Sequence, residues 1–313
     1  MHTTSPRWFP RLALATAFFT LGLIVFGAVV RVTDSGLGCG DHWPLCNGTI
    51  FPPLDNLNAW IEWLHRLFAL LIGVLGLITL VAALRAYRQH NRLVLNLTIA
   101  AALLFTLQSA LGAIVVVLEL PPTFVTLHLG TAMLLLGTLL FAAVGAIYRP
   151  TEYRRGDTIT SLVYITTALS LVIILTGALV RGSGATLACA DWPLCNGAVL
   201  PLNQGQLPII HMLHRMAVLA LGFSLVLLVW YVAKHRVGQA RTLAIGALVA
   251  YLAQAGVGAL YVVSGAAPLW GAAHVGLAAT TWGLLVVLSA IEWLNNRVVS
   301  SEQRWNPQSE VSS

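Results

Sequence analysis

Eight long apolar runs constrain this chain more than any other feature of its sequence. Each run holds about 20 residues or more, which is enough for a helix to cross a hydrocarbon core of roughly 30 Å. Of all residues, 58% are hydrophobic and only 9% are charged, far from the usual composition of a soluble protein. The sequence therefore predicts an all-α membrane protein with eight transmembrane helices. The runs lie near residues 11–30, 59–84, 93–118, 123–147, 159–180, 208–233, 242–264 and 269–294.

The basic residues predict how the chain is oriented in the membrane. Thirteen of the 17 Lys and Arg residues fall in segments that share one side if the eight runs alternate across the bilayer. The positive-inside rule makes that side the cytoplasm, so we expect a plasma-membrane protein with both termini cytoplasmic. The positive charge thus has its partner in membrane lipid and does not indicate nucleic acid. The thirteen residues are Arg7, Arg11, Arg85, Arg88, Arg92, Arg149, Arg154, Arg155, Lys234, Arg236, Arg241, Arg297 and Arg304.

An internal repeat divides the chain into two halves, at an offset that drifts only from 150 to 146 residues. The matching positions hold Cys, Trp, Pro, His and Arg, which chance similarity between apolar helices does not explain. The matched segments are Gly27-Ala-Val-Val-Arg31 with Gly177-Ala-Leu-Val-Arg181, Trp43-Pro-Leu-Cys-Asn-Gly48 with Trp192-Pro-Leu-Cys-Asn-Gly197, Leu64-His65-Arg66 with Leu213-His214-Arg215, Gln108-Ser-Ala-Leu-Gly-Ala113 with Gln254-Ala-Gly-Val-Gly-Ala259, and His128-Leu-Gly130 with His274-Val-Gly276.

Four spans in each half give both halves the same orientation in the membrane. The sequence therefore predicts two tandem, parallel four-helix bundles related by a pseudo-twofold axis along the membrane normal. We place the N-terminal bundle at 1–147, a cytoplasmic linker at 148–158, the C-terminal bundle at 159–299 and a disordered polar tail at 300–313.

The four cysteines lie in two loops that this topology places on the outer, oxidising side of the membrane. Local disulfides, Cys39–Cys46 and Cys189–Cys195, are favoured among the three possible connectivities. Zinc is a weaker alternative, because the spacing is wide and only one loop has an additional ligand, His42. Redox-active thiols are a third alternative.

Four histidines recur between the halves, and in each half they lie at matched depth on two helices. His65 and His128 form one pair, and His214 and His274 form the other. Two imidazoles facing each other across a bundle are typical of bis-histidine haem ligation. A single helical histidine is more often a hydrogen-bonded packing residue, but two in each bundle favour haem. Nearby glycines that would let a flat ring approach are Gly112, Gly130, Gly258 and Gly276, although glycine also serves helix packing.

Four arginines near the outer ends of spans do not follow the positive-inside pattern. Arg31, Arg66, Arg181 and Arg215 recur in pairs and lie where haem propionates would reach water, so we expect them to bind those carboxylates. The alternative is that their side chains extend to lipid headgroups.

One difference between the halves predicts which one reacts. Glu62, an ionisable residue inside a span, is replaced by His211 in the second half. An asymmetric carboxylate beside symmetric ligands suggests that the N-terminal half carries the chemistry and the C-terminal half holds a cofactor. The alternative is that Glu62 and His65, three residues apart, merely pair on one helix face.

These residues together resemble the haem A synthase family, which oxidises a methyl group of haem O to the formyl group of haem A for cytochrome oxidase. The resemblance covers all eight spans and rests on Glu62-x-x-His65-Arg66, the other three histidines and the two Trp-Pro-Leu-Cys-Asn-Gly loops. It implies a haem b cofactor on His214 and His274, a haem O substrate on His65 and His128, and Glu62 as the catalytic carboxylate. It also implies disulfides in both loops and a haem O synthase, a prenyltransferase, as donor of the substrate; the electron acceptor stays unknown.

Three other functions fit the sequence less well. A di-haem cytochrome b that passes electrons from a quinol would use the histidines but leave Glu62 and the cysteine loops unexplained. A repeat-built transporter would place its site near the membrane midplane, whereas these histidines lie near the outer surface. A prenyltransferase would need closely spaced carboxylates for magnesium diphosphate, which no span or cytoplasmic loop supplies.

Overall fold

Eight α-helices make up most of the structure, a computed structural model that describes residues 8–150 and 156–302. All eight are long and apolar enough to cross a membrane, and their bounds agree with the predicted spans to within three residues, except that the last helix continues eight residues beyond its predicted end. The prediction of an all-α, multi-pass membrane protein is confirmed. The helices are α1 Trp8–Val32, α2 Leu57–Tyr87, α3 Arg92–Val117, α4 Pro122–Ile147, α5 Thr158–Gly182, α6 Gln206–His235, α7 Gln239–Val263 and α8 Pro268–Glu302.

Two predicted boundaries fall partly outside the described residues. The predicted linker 148–158 includes residues 151–155, which the structure does not describe, and α5 begins at Thr158. The tail was predicted to begin at Ser300, whereas α8 continues to Glu302; the rest of the tail, 303–313, lies outside the described residues.

Helix starts follow from local sequence. Asn56, Asn91 and Asp157 each precede a helix and accept a hydrogen bond from the backbone N–H three residues on, which satisfies one of the free donors of a first turn. Helices α4 and α8 begin with Pro122 and Pro268, residues that favour the first helical position because they have no N–H to leave unpaired.

The helices pack in two rings of four. Within the first half α1 contacts α2 and α4, and α3 contacts α2 and α4; α5 to α8 repeat this arrangement. The halves meet through α1 with α8, α4 with α5, and α4 with α8. If the two halves are exchanged, the α1–α8 contact becomes the α4–α5 contact, and the α4–α8 contact stays the same. The contacts are compatible with a pseudo-twofold relation between the halves, which stays a prediction together with its axis along the membrane normal.

A buried charge cluster joins three helices at the end of the C-terminal bundle opposite the cysteine loops. Arg236, directly after α6, donates to Glu292 Oε1 on α8 at 3.0 Å and to Asp157 Oδ2 before α5 at 2.9 Å. The Thr160 hydroxyl donates to Glu292 Oε2 at 2.9 Å, and Glu292 is only 2% exposed. Burial alone would raise the pKa of Asp157, but the Thr160 amide and Arg236 lower it overall.

Replacing Arg236 by leucine is expected to destabilise the C-terminal bundle by about 3–5 kcal/mol, because Glu292 would stay buried without its cation. The free energy of unfolding in detergent, followed by circular dichroism, measures the effect. Arg241→Leu removes a charge from the exposed first turn of α7 and is the control. Equal stability of the two variants would show that the cluster contributes little.

Candidate haem-binding sites

Each of the four repeated histidines packs against a glycine of a neighbouring helix. A Cβ atom placed on any of these glycines would lie about 3 Å from an imidazole Cε1, so a larger residue would displace the ring. Glycine at these positions is what lets the imidazoles enter the space between the helices. The pairs and their distances are Gly27–His65 at 3.1 Å, Gly112–His128 at 3.2 Å, Gly177–His214 at 3.1 Å and Gly258–His274 at 2.9 Å.

The histidines also come together in the pairs that the sequence predicted. His65 on α2 lies within electrostatic range of His128 on α4, and His214 on α6 lies within range of His274 on α8. Both pairs lie inside their bundles, on helices that the repeat relates to one another.

In the C-terminal half both imidazoles are fixed through Nδ1. His274 Nδ1 donates to the Gln254 carbonyl at 3.0 Å. His214 Nδ1 lies 2.9 Å from the Thr176 hydroxyl, which itself donates to the Ile173 carbonyl at 2.8 Å and so accepts from the ring. Protonation at Nδ1 leaves Nε2 of both rings with a free lone pair. Such outer hydrogen bonds orient histidine ligands and increase their basicity.

In the N-terminal half the two imidazoles are held differently. His65 Nδ1 is buried without a hydrogen-bond partner, and the ring lies edge-on to Phe26, with centroids 5.9 Å apart. Phe26 occupies the repeat position of Thr176. His128 has its Nε2 atom 3.0 Å from the Gln108 amide nitrogen, while its Nδ1 lacks a partner. Neither ring has the Nδ1 acceptor that fixes its counterpart.

The donor set fits haem iron. Within the described residues no three His, Cys, Asp or Glu side chains group as a metal site would require. Haem needs only two protein ligands, because its ring supplies the other four nitrogens. Two partly buried imidazoles with free Nε2 atoms, as in the C-terminal half, are suited to that role.

Replacing Thr176 by valine is expected to weaken haem retention in the C-terminal half by about tenfold, since His214 would lose the acceptor that orients it. The haem content of purified protein and the midpoint potential of the C-terminal haem measure the effect. Thr176→Ser keeps the hydroxyl and should restore both values. If serine and valine gave the same result, the hydroxyl would have no orienting role.

Glu62 lies at the outer end of α2 and contacts the first cysteine loop. Its Oε2 accepts the Cys39 backbone N–H at 2.9 Å, and its Oε1 accepts Arg66 Nη2. Both oxygens of Glu62 thus have other partners, and the structure shows no hydrogen bond between Glu62 and His65. The alternative that these two residues pair with each other is therefore not supported. The counterpart His211 is 5% exposed and has no hydrogen-bond partner at Nδ1.

Two of the four rim arginines bind loop backbone. Arg66 Nη1 donates to the carbonyls of His42 and Leu45 at 3.0 and 3.1 Å. Arg215 binds the equivalent carbonyls of the second loop. These guanidinium groups therefore hold each loop over its own bundle, a role that sequence position did not indicate.

The other two arginines meet where the halves join. Arg181 Nη2 donates to Asp34 at 2.7 Å and to the Arg31 carbonyl at 3.2 Å. Arg31 Nε is buried without a hydrogen-bond partner, and its guanidinium lies within electrostatic range of Arg181. Of the four residues predicted to bind propionates, Arg31 has the fewest hydrogen bonds from its guanidinium group to the described part of the protein.

Both predicted disulfides are present, Cys39–Cys46 and Cys189–Cys195, and no described cysteine is free. In each loop a two-residue Asn-Gly turn with positive φ follows the second cysteine, and a pair of backbone hydrogen bonds closes it. Asn-Gly is the pair that such turns prefer. The confirmed pairing argues against zinc.

Several contacts around the imidazoles were not predicted from the sequence. Thr176 carried a usable signal, because it precedes a repeated glycine where the first half has Phe26. Of the four glycines expected near a flat ring, only Gly112 and Gly258 contact the histidines. Gly130 and Gly276 instead face Leu175 and Val25 across the contact between the halves, as in ordinary helix packing.

Comparison with known proteins agrees with this arrangement. The family model COX15-CtaA, described as cytochrome oxidase assembly protein, matches residues 10–58 and 55–286. The heme A synthase of Symbiobacterium thermophilum is 32% identical over 289 residues, 88% of this chain and 93% of that protein. Those of Alkalihalophilus pseudofirmus and Geobacillus thermodenitrificans are 31% and 32% identical, covering 72% of this chain and 78% and 69% of their own. A match that extends across nearly the whole membrane region shows that the chain belongs to the COX15-CtaA family of cytochrome oxidase assembly proteins.

Proposed function

We propose that this protein is a haem A synthase, an oxidoreductase that converts a methyl group of haem O into the formyl group of haem A. Its relatives carry the name heme A synthase, and the fold and site residues are compatible with that activity. The substrate haem O would be held by His65 and His128, and a haem b cofactor by His214 and His274.

This proposal rests on a difference in how hydrogen bonds hold the two histidine pairs. A resident cofactor needs ligands that are already oriented, and both C-terminal imidazoles have their Nδ1 atoms bonded. A substrate must arrive and leave, which suits a pair without that restraint, and His65 and His128 lack it. A haem b held by His214 and His274 would supply one-electron transfer.

Glu62 is proposed to accept protons during the oxidation. Arg66 and the Cys39 amide both donate to it, which fixes its two carboxylate oxygens in place. Its position three residues before His65 places it on the same helix face as a substrate ligand. Because Glu62 and the disulfide loop lie together, the loop also shields this carboxylate from water.

Arg31 is the rim arginine best suited to a propionate, because among the described residues its guanidinium donates to no protein oxygen, whereas those of the other three rim arginines do. Arg181, Arg66 and Arg215 would contribute charge at the same rim while also binding protein oxygens. The proposed topology places both termini in the cytoplasm and the cysteine loops outside. Haem O would come from a prenyltransferase, the haem O synthase, and the electrons would pass to an unidentified acceptor.

Purification followed by chromatography of the extracted haems tests the proposed function. Haem B together with haem O, alcohol intermediates or haem A is the expected result, and added haem O should be converted to haem A. If haem B were the only haem extracted and added haem O were not converted, the result would instead indicate a di-haem electron-transfer cytochrome. That alternative leaves Glu62 without a role, and the relatives' names do not favour it.

A further inference from the structure

A cavity of about 220 Å³ lies inside the N-terminal bundle, deeper in the membrane than the His65–His128 pair. It is larger than the roughly 150 Å³ apolar cavity that can hold a benzene ring. All four helices of the bundle line it, including Thr16 of α1, Gly76 of α2, Ala102 of α3 and Leu139 of α4. None of the residues assigned to haem ligation or proton transfer lines it, so the proposed chemistry does not account for this space.

The cavity begins at nearly one depth on all four helices. On three helices the first lining residue is seven positions inward from the histidine or its packing glycine, and on α3 it is six positions inward, which is about 9 to 10 Å at 1.5 Å per residue. A group bound there would extend from a haem held by His65 and His128 towards the membrane interior. The four residue pairs are Gly27 with Thr20, His65 with Ile72, Gly112 with Thr106, and His128 with Leu135.

The cavity wall is apolar even though five threonines line it. Each threonine hydroxyl lies 2.8 to 3.1 Å from the carbonyl four residues earlier in its own helix, and the hydroxyls of Thr16 and Thr79 also bond each other at 2.8 Å, so none of the five lacks a partner. Water occupies buried space only where polar partners are free, so the site favours a hydrocarbon occupant. The five are Thr16, Thr20, Thr79, Thr98 and Thr106.

The C-terminal bundle fills the corresponding space with leucine. Leu225 and Leu228 of α6 are fully buried in the core of that bundle, where α2 has a glycine and a threonine. Leu248 of α7 packs against the same core at the position of a small residue in α3. Duplicated bundles thus differ in side-chain volume at one depth. The replaced pairs are Gly76 with Leu225, Thr79 with Leu228, and Ala102 with Leu248.

We infer that the cavity binds the isoprenoid tail of haem O, the substituent that distinguishes this substrate from haem b. The inference rests on the proposed function, because it requires haem O in the N-terminal half. A tail entering here would direct haem O to the N-terminal histidine pair, because at the corresponding depth the C-terminal bundle holds the buried Leu225 and Leu228. The cavity also opens beside the exposed Leu77 and Thr106, so a long chain can continue between α2 and α3 towards lipid.

Gly76→Leu tests the inference, because it installs the residue of the C-terminal half. A Cβ on Gly76 would meet no atom within 4 Å, so the new side chain can enter the cavity without displacing the backbone. Gly22→Leu is the matched control: its Cβ is equally free, but it lies on an exposed face of α1 and does not line the cavity. Ala102→Leu fills the cavity from α3 and replaces the first variant if that one fails to fold.

Full-length protein with its C-terminal haem in place is titrated separately with haem O and with haem B, and binding is followed by absorbance. Wild-type protein and Gly22→Leu should bind haem O more tightly than haem B by about tenfold or more. Gly76→Leu should remove this preference by weakening haem O binding while leaving haem B binding unchanged. Retention of the C-terminal haem spectrum reports that each variant is folded.

Two results would overturn the inference. One is an unchanged haem O preference in Gly76→Leu, as expected if a lipid chain occupies the cavity. The other is an equal loss of haem O and haem B binding, which would make the cavity a packing feature. If wild-type protein bound haem O with the expected preference but did not convert it, the proposed function would fail while the tail site remained supported.

Discussion

Replacing His274 by alanine will remove the haem of the C-terminal half, lowering the b-type haem content of purified protein by more than about tenfold. The ring of His274 supplies the three atoms that lie nearest to a Cβ placed on Gly258, and its Nδ1 is already committed to the Gln254 carbonyl. Its Nε2 is therefore the atom available to iron. The reduced-minus-oxidised spectrum and the haem-to-protein ratio measure the loss.

Two comparisons separate iron ligation by His274 from simple packing. His128→Ala changes the equivalent residue of the other half and should leave the C-terminal spectrum intact. Imidazole added to His274→Ala can enter the vacated space beside Gly258 and should restore haem binding. An unchanged reduced spectrum in His274→Ala would refute the ligand assignment.

Replacing Glu62 by glutamine will lower haem A formation by about 10²–10⁴-fold while both haem spectra persist. Glutamine keeps the shape of the side chain and can still accept the Cys39 N–H, but it has no charge and cannot take up a proton at the same atom. Conversion of haem O, followed by chromatography of the haems, measures the effect.

The control for this variant is Glu119→Gln, the same substitution at an exposed residue directly beyond α3. It should leave haem A formation unchanged. Normal output from Glu62→Gln would exclude Glu62 from proton transfer and reduce its role to holding the cysteine loop through Arg66.

Much of the architecture could be predicted without coordinates because it depends on properties that are local in sequence. A run of apolar residues has to span the membrane whatever its neighbours are, and all eight runs became helices. The disulfides followed for a similar reason, since seven and six residues separate the paired cysteines. The histidine pairing followed from the repeat, which identifies equivalent positions without any knowledge of packing.

The use of each polar side chain could not be predicted in this way. Arg66 and Arg215 were expected to bind haem propionates, yet both bind loop carbonyls that lie more than twenty residues away in sequence. Glu292 lies two residues before the end of the predicted span 269–294, and nothing in the sequence indicated that it is buried against Arg236. Which groups such side chains reach depends on how the helices are rotated and where the loops fold back over them.

The sequence by itself determined the number of spans, the duplication, the cysteine pairs and the two sets of histidines, because composition and spacing impose these features locally. Only the tertiary structure decided that the C-terminal imidazoles are fixed through Nδ1 and that the N-terminal bundle contains a cavity. The physical reason is that both properties arise between helices. A hydrogen bond needs two atoms brought within about 3 Å, and a void is what four packed surfaces leave unfilled.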